Sequence, residues 1–171
     1  FWEAVIREEA RDSQQPEMNI VNRMTQMYRA MKEADEAYDD TLTSHSGLSG
    51  KNGKKMADYA ATHKCMCGEF GGAVMARAIK MAERNACMKR IVAAPTAGSC
   101  GVVPAILITY ERMTNTSEND MVKALFVAAG IGDVIARRAS ISGARGGCQA
   151  EIGASSAMAA GALAWLKSGS S

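Results

Sequence analysis

Most of the residues able to do chemistry fall in one run, Ser140-Ile-Ser-Gly-Ala-Arg-Gly-Gly-Cys-Gln-Ala-Glu-Ile-Gly153. Four glycines and two serines surround a single cysteine, Cys148, and a carboxylate follows three residues later. Glycine lets a backbone approach a ligand closely or adopt positive φ. A thiolate among backbone N–H groups and hydroxyls suits a metal or an anionic substrate. The same run also reads as a tight turn around one buried cysteine, since free cysteine is among the most buried residue types.

Two other loops share this composition, Ser44-His-Ser-Gly-Leu-Ser-Gly50 and Pro95-Thr-Ala-Gly-Ser-Cys-Gly101. Each lies at a helix boundary and offers amides and hydroxyls, and a helix N-terminus is a natural carboxylate site. Any one of them alone reads as a connector. Three alike on one chain point to a shared pocket.

Other chemistry is thinly represented. Cys65-Met-Cys67 has His63 nearby, but a structural zinc site needs a second ligand pair at a defined distance, and the sequence has none. Cys87 falls in a helical pattern and reads as packing. His45 lies in a loop, either as a proton carrier or as an ordinary surface residue. No G-x-S-x-G elbow, P-loop or G-x-G-x-x-G occurs.

These loops must be held by helices. Ile20, Met24, Met27 and Met31 recur at helical spacing within Glu17 to Asp40, with Glu33, Asp35 and Glu36 expected toward water. Further helices are predicted over about Lys54 to Thr62, Glu69 to Lys89, Val103 to Met113, Ser117 to Arg138 and Gln149 to Lys167. The helix that ends at Arg138 should carry Ser117 as its N-cap with Asp120 beyond it. Only Arg90 to Ala94 has strand character, and one short strand makes no sheet. The expectation is an all-α, single compact domain over residues 1–171, with small-residue helices rich in Ala, Gly and Ser at its centre.

Composition narrows the class. Methionine is abundant at 12 and aromatics are scarce at 5%, so small residues and flexible methionine must fill the core. A net charge of +2, with both signs interspersed, leaves no nucleic-acid footprint. No apolar run reaches the roughly 18 residues that span a bilayer. The five cysteines are odd in number and lack the spacing of a disulfide scaffold, which places the chain in a reducing, cytoplasmic setting. The chain starts at Phe1 and stops soon after an apolar helix pattern, so it reads as a piece of something longer.

Ala93-Ala-Pro-Thr-Ala-Gly-Ser-Cys-Gly-Val-Val-Pro104, followed by the run Ala139 to Gly153, closely resembles the iron–sulfur-dependent bacterial L-serine dehydratases. The likeness is to their α chain, or to the α region of single-chain forms. It extends from about Ser46 to the end, and the Glu17 helix fits it. It implies an L-serine ammonia-lyase of amino-acid catabolism that converts L-serine to pyruvate and ammonia without pyridoxal phosphate. It also implies a 4Fe–4S cluster held by three cysteines, with one iron open to substrate. The Gly-Gly-Cys-Gln motif supplies the first of these ligands, so Cys148 carries over as the metal ligand. The family's other two lie downstream, in Leu-x-Cys-Asp-Pro and Val-Pro-Cys segments, and this chain ends before either.

The chain alone is therefore expected to be inactive and free of cluster. Cys100 matches a cysteine common in the family's second loop that is not a usual ligand. Arg145 departs from the family, which usually has an acidic residue there, and this alters the charge expected near the cluster. A β chain or β domain, an oligomer and a cytoplasmic location are also implied. The open iron would act as a Lewis acid on the departing hydroxyl, while a base, unassigned here, takes the α-proton. Ser46, Thr96, Ser99, Ser140 and Ser142 are the expected substrate-binding residues. The competing readings are a metal-free scaffold, or a carboxylate-binding domain without catalysis. Two cysteines about ten residues apart beyond Ser171 would favour the enzyme, since a cuboidal cluster needs about three thiolates.

Overall fold

The computed structural model describes residues 1–168, and they form an all-α domain with no strand among the described residues. Its helices are α1 (Trp2–Ser13), α2 (Glu17–Glu36), α3 (Asn52–Ala60), α4 (Gly68–Ala86), α5 (Val102–Thr114), α6 (Glu118–Arg138) and α7 (Gly143–Ser168). A single 3-10 turn, Ala97–Ser99, precedes α5. One isolated bridge joins Thr43 to Gly50 across the first loop.

The predicted helices are present, with ends shifted by a few residues. α2 starts after Pro16 and buries Ile20, Tyr28, Met31 and Ala34, but stops at Glu36, short of the Asp40 expected. Ser117 caps α6 as predicted, accepting the Asp120 amide at 3.2 Å. Arg90 to Ala94 is irregular: Ile91 and Val92 pack on apolar neighbours but have no partner strand to ladder with. The sequence prediction assigned no element before Glu17, where α1 lies. That helix seats Trp2, Val5 and Ile6 against the core, on α6 and α2. Asp35 was expected to face water. Its side chain is instead 6% exposed, held by Arg77 at 3.1 Å and Arg112 at 3.3 Å.

The core centres on α5 and α6. Leu107, Ile108 and Met121 have no exposed surface, and each such side chain contributes on the order of 1.5–3 kcal/mol on burial. α6 contacts α1, α2, α5 and α7. Small residues let α7 come close: a Cβ at Gly132 of α6 would stand 2.9 Å from Met158 Sδ of α7. α7 turns Ala154, Ser155, Met158, Ala159 and Ala162 into the core, while Ile152, Gly153, Ala157 and Ala160 stay exposed. The small-residue helices thus pack on each other, with α6 at the centre and α7 contributing one face.

α4 and α5 meet with least clearance at Gly101. A Cβ there would stand 2.6 Å from the Ala78 carbonyl oxygen and 3.2 Å from its Cα. Those are backbone atoms of a helix and cannot swing aside. Gly101→Ala is expected to destabilise the protein by about 1–3 kcal/mol, the usual cost of overpacking. Thermal unfolding checks this, and an unchanged midpoint would show that α4 yields.

Candidate functional site

The second loop is fixed on three sides. Ala94–Pro95 is a cis peptide, and Thr96 then caps the 3-10 turn. The Thr96 and Ser99 hydroxyls lie 3.0 Å apart, and the Thr96 amide donates to Ser99 Oγ at 3.4 Å. From α4, Asn85 Nδ2 donates to the Ala97 carbonyl at 3.0 Å. Ser99 is buried and Thr96 half-buried.

The third loop turns on its own serines. Ser140 Oγ accepts the Ser142 amide at 3.2 Å, and Ser142 Oγ accepts the Ala144 amide at 3.3 Å. Each hydroxyl is engaged as an acceptor, which leaves its proton available to a ligand. The chain makes one helical turn and then breaks at Gly147, whose φ of 76° and ψ of 173° lie outside helical space. A residue with a side chain is strained at that φ. Cys148 follows directly and is exposed. A Cβ at Gly147 or Gly153 would meet nothing within 4 Å, so the space there is open.

Glu151, one turn beyond Cys148, joins the two loops. Its carboxylate accepts the Thr96 hydroxyl. A Cβ at Gly98 would stand 2.7 Å from Oε1, and one at Gly143 would stand 2.8 Å from Oε2. Both glycines are therefore required for the carboxylate to lie between the loops. The sequence prediction noted a carboxylate after the cysteine but gave it no place among the candidate residues. The available signal was its i, i+3 spacing from Cys148, which puts both side chains on one helix face.

Thr96 is thus brought to Glu151 directly, and Ser99 stands behind it, with the two hydroxyls 3.0 Å apart. Of the third loop, Gly143, next to Ser142, lies against the carboxylate, while the Ser140 and Ser142 hydroxyls bond within their own turn. Ser46 is exposed, and its hydroxyl bonds only within its own turn, to Ser44 Oγ at 3.1 Å and the Leu48 amide at 3.4 Å. No hydrogen bond links that first loop to the other two among the described residues. Its anchor is Glu83, a buried carboxylate on α4. Glu83 accepts the amides of Asn52 at 2.7 Å and Gly53 at 3.0 Å and the Tyr38 hydroxyl at 2.7 Å.

The cysteines separate by environment, and all five are free thiols. Cys100 is 1% exposed, and burial pushes its thiol up to about 11, so it packs as a neutral group. Cys87 and Cys65 are half-buried, and Cys67 is exposed at the start of α4. Among the described residues no three His, Cys, Asp or Glu side chains are grouped to hold a metal ion. None of the described helices is long and apolar enough to cross a membrane.

Residues 1–171 match the family described as Serine dehydratase alpha chain. The chain is 35% identical over 167 residues to a probable L-serine dehydratase, alpha chain, of Bacillus subtilis (strain 168), covering 98% of this chain and 56% of that protein. It is 34% identical over 171 residues to an L-serine dehydratase, alpha chain, of Peptoniphilus asaccharolyticus, covering 99% of this chain and 58% of that one. With L-serine dehydratase 1 of Escherichia coli (strain K12) the identity is 46% over 94 residues, 54% of this chain and 21% of the relative. The chain therefore spans a little more than half the length of the first two relatives. No solved structure matches it.

Proposed function

The chain belongs to the serine dehydratase alpha chain family, and from that premise we propose that it forms the α portion of an iron–sulfur L-serine dehydratase. The reaction is the deamination of L-serine to pyruvate and ammonia without pyridoxal phosphate. The observation that carries this reading is the closure of the second and third loops on Glu151, one turn from the exposed Cys148.

A 4Fe–4S cluster fits this chain at one corner. Cys148 is exposed, follows a glycine in open space and stands clear of the packed cysteines. On the family likeness, the remaining two thiolates come from the Leu-x-Cys-Asp-Pro and Val-Pro-Cys segments, outside the described residues. When bound, the cluster supplies Lewis acidity toward the departing hydroxyl. The chain's own residues bind and orient. The hydroxyl protons of Ser140 and Ser142 face a substrate carboxylate. Thr96 and Ser99 set the geometry of the second loop, while Ser46, kept as a substrate-binding residue on the family likeness alone, lies on a loop that no hydrogen bond joins to the other two among the described residues. No residue of this chain is assigned as the base that takes the α-proton.

A single thiolate cannot hold a cuboidal cluster, so the 171 residues alone are expected to purify without one and to be inactive. We further propose that residues 1–171 fold as one unit, because α6 contacts helices from both halves of the chain. The five unpaired thiols fit a reducing cytoplasm. The enzyme is read as an oligomer that includes the β portion.

The test is anaerobic reconstitution of the full-length protein with its β portion, reading visible absorption and serine turnover together. Folded protein with neither would leave the carboxylate-binding or scaffold reading in its place. Within that enzyme, Thr96→Val keeps the side-chain shape but removes the hydroxyl donated to Glu151. The expected result is a loss of about tenfold in kcat/KM, from one charge-assisted hydrogen bond. Initial-rate kinetics check it.

A further inference from the structure

Glu151 is a carboxylate with no cationic partner among the described residues. It is half-buried, it accepts one hydroxyl, and its oxygens rest against the Gly98 and Gly143 backbone. Ion pairs are common elsewhere on this protein: Asp35, Glu118 and Asp133 each have a guanidinium partner. Among the described residues no lysine, arginine or histidine pairs with Glu151. A carboxylate drawn partly out of water without a cation is costly, and a ligand that brings positive charge recovers the loss.

Position identifies that ligand charge. Cys148 and Glu151 are i, i+3 on a helix, with Cβ atoms on the order of 5–6 Å apart. Any substrate held at a group on the Cys148 sulfur therefore comes within reach of the carboxylate. Thr96 fixes one carboxylate oxygen, and the other lies against Gly98 and Gly143, which have no side chains to cover it. The joined loops carry the Ser140 and Ser142 hydroxyls in one turn and, at Glu151, an anion fixed by Thr96. That pattern matches a zwitterion, with its carboxylate toward the serines and its ammonium toward Glu151.

We propose that Glu151 recognises the α-ammonium group of the substrate and so restricts the site to amino acids over the corresponding hydroxy acids. This rests on the reading of the site as one for L-serine. A purely structural role, as a first-turn carboxylate favoured by the helix dipole, is the alternative to be separated.

The experiment uses the complete, cluster-loaded enzyme and measures equilibrium binding anaerobically with two probes. These are L-serine and 3-hydroxypropionate, which is serine without its amino group. The wild type should bind L-serine more tightly than 3-hydroxypropionate. Glu151→Gln retains an oxygen for Thr96 but loses the charge. It should weaken L-serine binding by about tenfold to a hundredfold, the range for a hydrogen bond to a charged group, and leave 3-hydroxypropionate unchanged. Equal loss of both probes would reduce Glu151 to a structural residue, and unchanged binding of both would remove it from recognition. The wild-type comparison needs no variant: equal affinity for the two probes overturns the proposal by itself. A wild type that binds neither probe and turns over no serine would instead overturn the L-serine reading of the whole site.

Discussion

Cys148→Ser in the complete enzyme is expected to remove both the visible absorption of the cluster and all measurable serine turnover, while Cys67→Ser leaves both in place. Cys148 is exposed, follows the break at Gly147, and stands one turn from the carboxylate that closes two loops. A cuboidal cluster whose fourth iron is open to substrate has three protein ligands and no spare. A serine hydroxyl is a far poorer ligand for iron than a thiolate, so losing one of three is expected to release the cluster. Cys67 is also exposed, but it starts α4 with no other ligand grouped around it among the described residues. Its replacement should cost only modest packing. Cys100→Ala offers a third comparison. That thiol is buried against the Met81 carbonyl, so its loss should lower stability without removing the cluster. Absorbance and turnover measured under strict anaerobiosis decide the matter. A coloured, active Cys148→Ser enzyme would refute the ligand assignment, and a folded but colourless Cys67→Ser enzyme would do the same.

The helical class and most element positions were legible because apolar residues recur at helical spacing and the breaks carry strong signals. Ser117 with Asp120 marked the start of α6. The α1 helix was not legible. It is short and rich in charge, and its apolar face of Trp2, Val5 and Ile6 gains meaning only against α6. Asp35 shows the opposite failure. Its place in an acidic run of α2 predicted exposure, but two arginines distant in sequence, Arg77 and Arg112, converge on it and make its burial tolerable.

The candidate site was legible as composition and not as geometry. Thr96, Ser99, Ser140 and Ser142 were recognisable from their Gly/Ser loops. Glu151 was not, because its role depends on Gly98 and Gly143 lying on either side of one carboxylate, and such a meeting of distant segments leaves no local pattern. The same holds for Glu83, which sits among ordinary helical residues but receives donors from both sides of the first loop.

Glu83→Ala is expected to destabilise the protein by about 3 kcal/mol and to free the segment between Tyr38 and Gly53. Glu83 is 6% exposed and accepts three donors: Tyr38 Oη at 2.7 Å, the Asn52 amide at 2.7 Å and the Gly53 amide at 3.0 Å. Each buried donor left without an acceptor costs roughly 1–3 kcal/mol, and relaxation toward water lets part of that sum be recovered. Burial and hydrogen bonding oppose each other at this carboxyl. Burial raises its pKa, but the bonds from Tyr38, Gly53 and Asn52 together outweigh it and hold the group below the ordinary value of 4.5. Tyr38 itself is pushed up to about 12, by burial first and then by Glu83, so it remains a donor at neutral pH. The sign of the pH effect follows. A depressed carboxyl contributes stability that is fully present above its unfolded pKa and is lost as pH falls through the folded one. Wild-type stability should therefore decline as pH drops below about 4.5, the ordinary glutamate value, and this part of the decline should vanish in Glu83→Gln. Glu83→Gln should also be less stable at neutral pH, because its amide nitrogen must face a donor it cannot accept. Denaturant unfolding across that pH range tests the linkage, and hydrogen exchange at Asn52 and Gly53 tests the anchoring. If both variants matched the wild type in stability, slope and exchange, the first loop would have to be held by something other than Glu83.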